Sequence, residues 1–174
     1  MSGAVSVIGH RYLWIDQGAR EEESATDLFR HLRNQALRGR LWSALTGRSR
    51  RLLPLASVEA SCTVLECRDA GTRTVPINLI RGSSNRCSDF DLHFCPLHCH
   101  DQARWLRLAS ARLRGARLPP VELIEVAGLY FVVDGHHRIS VARALGETGI
   151  RARVTSWQVT GALPWEKMES RKTS

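Results

Sequence analysis

Tyr130-Phe-Val-Val-Asp-Gly-His-His-Arg-Ile-Ser-Val-Ala-Arg-Ala-Leu-Gly146 compresses a strand, a turn and a helix into 17 residues. Tyr130 to Val133 is an aromatic and β-branched run, which reads as a strand with Val132 in the core. Asp134-Gly135 is a turn pair, and Asp134 is also placed to cap the helix that follows. Ile139, Ala142 and Leu145 share one helical face, and Gly146 is placed to end the helix. His136, His137 and Arg138 therefore fall in the first helical turn, beside backbone N–H groups that have no partner inside the helix. A cation there opposes the helix dipole unless an anion sits between them, and phosphate is the natural anion. The competing reading pairs Arg138 with Asp134 and leaves the histidines as ordinary polar groups.

The rest of the chain bounds what this unit belongs to. With 174 residues, 43% of them hydrophobic, one core plus an appendage can form. No run approaches the ~20 apolar residues of a membrane span, and the first residues lack the layout of a signal peptide. A soluble, cytoplasmic protein without a membrane partner is expected. Five cysteines, at 62, 67, 87, 95 and 99, suggest reduced thiols rather than a disulfide framework. The net charge of +8 suits an acidic partner. Only Lys167 and Lys172 are lysines, so the charge is nearly all arginine.

Three regions are expected: a basic helical extension over residues 1–60, an α+β domain over 61–160, and a tail over 161–174. Between Leu28 and Val58 there is no acidic residue, while arginines recur. Ser24 to Asp27 fits a capping box and predicts the start of an amphipathic helix. Leu28, Leu32, Ala36, Leu37, Leu41 and Leu45 give its apolar side, with Trp42 close by, and Gly47 ends it. Arg48, Arg50 and Arg51 then offer a contact to DNA or another acidic partner; the alternative is a packed helix with solvated arginines. Downstream, the pattern predicts a short helix over Leu55–Ser61, a strand near Thr63–Leu65 and another over Arg73–Ile80. A helix follows over Gln102–Leu113, with Trp105, Leu106, Ala109 and Leu113 on one face. Pro119-Pro120 precedes a hairpin of Val121–Val126 and Leu129–Val133 joined by Ala127-Gly128. Ile150–Ser156 reads as the last strand.

Val75 to Asp91 (VPINLIRGSSNRCSDFD), the segment from Leu118 to Gly146 and the closing IRARVTSW together resemble the ParB/sulfiredoxin superfamily over about residues 73–157. That resemblance implies an α+β fold, a small mixed sheet with packed helices, here preceded by a basic amphipathic N-terminal helix. It places Gly135-His-His-Arg138 at the family's G-x-x-R phosphate element and Arg86 near its early arginine. The DGHHR form looks like that of stand-alone members, including free serine kinases. The family holds CTP, ATP or ADP at this element, so a nucleotide with Mg²⁺ is the implied cofactor. Sulfiredoxin chemistry needs a cysteine in the loop, and this loop has none. Only 17 residues follow Trp157, which leaves no room for the further domains of a partition protein.

Roles by residue type follow. Arg138, Arg86 and the Gly135, His136 and His137 positions would take phosphate oxygens. One histidine could titrate near neutral pH. Asp134 is the candidate for Mg²⁺ or for orienting a nucleophile, with His137, Asp89 and Asp91 as further catalytic candidates. A second cluster, Cys95, His98, Cys99 and His100, has the ligand types of a zinc site but no regular spacing. Its alternative is a polar loop leading to the Trp105 helix. Two function classes remain: a nucleotide-binding protein acting as an NTPase or small-molecule kinase, and a DNA-binding accessory module without catalysis. No paired-carboxylate centre supports a two-metal nuclease.

Overall fold

The computed structural model describes residues 8–47, 50–98 and 101–166. It is an α+β protein whose six strands form one mixed sheet in the order β1-β3-β5-β4-β6-β2. In chain order the elements are α1 (Ile8–Thr46), β1 (Leu53–Pro54), α2 (Leu55–Ser61), β2 (Cys62–Pro76), a 3₁₀ turn (Ile77–Leu79) and β3 (Ile80–Ser83). After a loop come α3 (Gln102–Leu113), β4 (Val121–Val126), β5 (Leu129–Asp134), α4 (His136–Ala144) and β6 (Gly149–Gly161). β4 and β5 form the antiparallel hairpin, turned by Ala127 and Gly128 at φ 50° and 82°. β3 lies parallel to β5, and β6 parallel to β4.

Leu123, Val132, Ile139 and Val154 are all at most 1% exposed and make one continuous core between the sheet and α4. On the far side of α4, Ala25, Phe29, Leu32 and Ala36 of α1 close over Trp105 and Ala109 of α3 and Val141 of α4. The N-terminal helix is therefore a packed layer of the structure. The boundary expected at residue 60 is no break in packing either: β1 pairs with β3, and Leu55 and Val58 of α2 bury against Val126 and Phe131.

Several expected bounds change. The helix expected to open at Ser24–Asp27 is already well under way there, because α1 runs from Ile8. Thr26 donates its hydroxyl to the Glu22 carbonyl (2.8 Å), and Asp27 pairs with Arg30 (2.8 Å), so neither residue caps. A hydroxyl returned to the carbonyl four residues back is compatible with a helix interior. The apolar side of α1 is also split. Leu37, Leu41, Trp42 and Leu45 are 52%, 68%, 62% and 83% exposed. The cause is length: at ~1.5 Å per residue α1 far outreaches α3, which provides its packing surface.

The strand expected over Arg73–Ile80 is broken. Proline cannot donate to a ladder, β2 stops at Pro76, and Ile77 turns inward to be 2% exposed before β3 begins at Ile80. β2 and β6 are both longer than expected because each supplies the other's backbone partners along most of its length. The expected tail begins as structure: Leu163 and Trp165 pack near Phe131, with rings 6.1 Å apart for the Trp165–Phe131 pair. Among the described residues, Cys62, Cys67, Cys87 and Cys95 are free thiols, and no helix is long and apolar enough to cross a membrane.

Candidate functional site

Gly135 decides the geometry of the strand-turn-helix unit. It sits at φ 103°, and a Cβ there would meet Val121 Cγ1 at 2.5 Å. Gly135 is thus the N-cap of α4, without any side-chain cap. Asp134 does not cap, contrary to expectation; it ends β5 and pairs with Arg138. The amides of the first turn of α4 open on a cleft of about 520 Å³. Gly135→Ala is expected to cost about 1–3 kcal/mol from backbone strain alone, measured by urea unfolding; an unchanged midpoint would show that the turn relaxes.

The two histidines are core residues, 5% and 4% exposed, that also line the cleft. Ser83 Oγ receives the amides of Asn85 (3.3 Å) and Arg86 (3.0 Å). Its own proton therefore goes to His136 Nε2, 2.7 Å away, which must be unprotonated to accept it. His136 also stacks on Phe90, centroids 5.6 Å apart. Burial, reinforced by Arg86, pushes its pKa down to about 4. His137 lies 3.2 Å from Asp101, yet burial outweighs that carboxylate and also lowers its pKa. Neither ring is poised at neutral pH. The Nδ1 of His137 is buried without a hydrogen-bond partner, an unusual expense for a polar atom.

Arg138 is less available than its position in sequence suggests. Its Nη1 donates to the carbonyls of Pro119 (2.9 Å) and Pro120 (2.6 Å), and its Nη2 to Asp134. The protein itself offsets the charge that a helix start would otherwise repel. Arg86 reaches the cleft from the loop after β3, tethered to Asp101 (3.3 Å) and close to Asp89 (3.6 Å). Asp91 stands elsewhere: it accepts the amides of His93 and Cys95, both at 2.9 Å, and pairs with Arg50 at 3.4 Å. That explains its 5% exposure and makes it a loop organiser. Asp89 contacts Arg86 and Ser88 and does not line the cleft.

The cleft's remaining charge comes from Arg104 and Arg107 of α3, which the sequence reading passed over. Their spacing of three puts both on one helical face, away from the buried Trp105 and Ala109. That polar face was the missed signal. Neither arginine has a carboxylate partner among the described residues. With Arg86 and Arg138 they make four guanidinium groups around a cleft whose lining contains one carboxylate, Asp134.

The zinc candidates fall only partly within the described residues. Among the described residues no three His, Cys, Asp or Glu side chains group to hold an ion. Cys95 is 2% exposed, and burial with Asp91 pushes its thiol up to about 12. Cys99 and His100 lie outside the described residues, as does Arg48, and His98 is engaged in contacts of its own. Arg50 packs against α1 beside Gly39 while holding Asp91, and Arg51 is exposed with its own contacts.

No family model matches the chain, and no curated protein matches it. Among solved structures it is similar to sulfiredoxin from Arabidopsis thaliana, at 27% identity over 48% of this chain and 82% of that one. The TM-score of 0.35 is too low for residue correspondences to be carried across.

Proposed function

We propose that the cleft at the start of α4 binds the phosphate groups of a nucleotide. The observation that carries this reading is Arg104 and Arg107, which have no carboxylate partner among the described residues and line the cleft together with the uncapped first turn of α4; Arg86, tethered to Asp101, and the braced Arg138 stand beside them. Guanidinium groups and helix-start amides are both donors to phosphate oxygens, and together they favour a multiply charged anion. A nucleoside di- or triphosphate meets that requirement at the size of the cleft. Mg²⁺ accompanying it would find one protein carboxylate, Asp134, which already engages Arg138; the ion would be held mainly by the phosphates. Binding rather than turnover is the function supported, since His136 and His137 are committed to buried contacts and no free base faces the cleft among the described residues. The DNA-contact role considered for Arg50 loses support because that side chain organises the Asp91 loop.

A thermal-shift panel of CTP, ATP, ADP and GTP, with and without Mg²⁺, tests the reading. At ~100 times its dissociation constant the right nucleotide adds about 2.7 kcal/mol, roughly 5–10 °C for a chain of this size. Arg104→Glu/Arg107→Glu should fold normally, because both side chains are exposed and without ion pairs, and should lose the shift. Absence of any shift in the wild-type protein, or its survival in the double variant, overturns the proposal.

A further inference from the structure

A second recess, of about 350 Å³, adjoins the first and shares Pro119 and Arg138 with it. It is formed where the loop after α3 passes the start of β6, so residues distant in sequence meet there. Arg112, Arg117 and Arg151 line it, and Glu147 is the carboxylate among its lining residues. That carboxylate is already used: Arg112 Nε donates to Glu147 at 2.8 Å. Arg138 is similarly occupied by Pro119, Pro120 and Asp134. Arg117 and Arg151 are exposed and have no carboxylate partner among the described residues. Two guanidinium groups without a carboxylate partner line this recess together with Leu118, Pro119 and Ile150, a combination that suits a small anion with an apolar body.

We infer that this recess is a second anion site, which takes a small molecule bearing a phosphate or carboxylate group beside the ligand of the first cleft. Arg138 is the shared wall, pinned by the Pro119-Pro120 carbonyls so that it separates the two anions and screens each from the other. The inference deepens the proposed function by naming the charge of a co-ligand, and rests on it only for what occupies the neighbouring cleft. The recess itself depends on Arg117 and Arg151, neither of which lines the first cleft.

The test is calorimetric titration of the full chain with inorganic pyrophosphate, and separately with citrate as a carboxylate probe. Two equivalents of pyrophosphate are expected for the wild-type protein. Arg117→Ala/Arg151→Ala should bind one and keep its nucleotide-induced thermal shift, whereas Arg104→Glu/Arg107→Glu should bind one and lose that shift. Citrate should bind with one equivalent fewer in Arg117→Ala/Arg151→Ala than in the wild-type protein; a citrate stoichiometry unchanged by that variant overturns the recess as a carboxylate receptor. A wild-type stoichiometry of one, unchanged in Arg117→Ala/Arg151→Ala, removes the second site and leaves the nucleotide reading standing. One equivalent that vanishes only in Arg117→Ala/Arg151→Ala does the reverse. No pyrophosphate bound at all sinks both.

Discussion

Trp105→Ala is expected to lower the unfolding free energy by about 3–5 kcal/mol, the range for emptying a buried aromatic site. Trp105 is fully buried where α1, α3 and α4 meet, and Phe29 packs on it with ring centroids 5.3 Å apart. Its indole N–H also donates to Ser140 Oγ at 2.9 Å, and Ser140 is itself fully buried. Truncation therefore opens a cavity and leaves a hydroxyl without its partner, so the upper part of the range is favoured. Urea unfolding followed by far-ultraviolet circular dichroism measures the loss. A change below about 1 kcal/mol would mean that α1 does not rest on this residue, because Trp105 joins all three helices through both packing and a hydrogen bond.

Lowering the pH from about 6.5 to 4 is expected to remove on the order of 3 kcal/mol of stability through His136 alone. Its pKa falls from 6.5 to about 4 on folding, first through burial and then through Arg86. Between those values the unfolded chain binds a proton that the folded chain refuses, so protonation pulls the equilibrium towards unfolding. The contribution is complete above the unfolded value and lost as the pH approaches the folded one. His137, also lowered, acts in the same direction. Protonation would also cost the hydrogen bond from Ser83, which an imidazolium cannot accept. His136→Gln keeps an acceptor for Ser83 and removes the titration, so its stability should vary less between pH 6.5 and 4. Chemical unfolding at half-unit pH steps compares the two proteins. Parallel curves would assign the acid sensitivity to another group.

Much of the local structure was legible before any packing was known. Leu55–Ser61 and Gln102–Leu113 are helices at their expected bounds, and the Val121–Val126 and Leu129–Asp134 hairpin turns at Ala127-Gly128. These elements are coded by short-range signals: a repeat of apolar residues, a proline before it, a glycine after it. The cleft was half legible. The Gly135 turn could be read because a left-handed residue next to two histidines and an arginine is a local pattern. Arg104 and Arg107 were not read, because a polar helix face becomes meaningful only when another element comes to stand opposite it.

The sequence by itself determined the α+β class, the buried strand through Val132 and the turn at Asp134-Gly135 into a helix, since each depends on residues a few positions apart. Only the tertiary structure decided what those positions do. It bound Arg138 to Pro119 and Pro120, nineteen and eighteen residues away, and so turned an apparent anion ligand into a brace. It buried His136 against Ser83, 53 residues away, and removed its charge at neutral pH. It stretched α1 past its support and left Leu41 and Trp42 in solvent. A side chain's charge, exposure and partner depend on which distant segment packs against it, and periodicity along the chain holds no record of that distance.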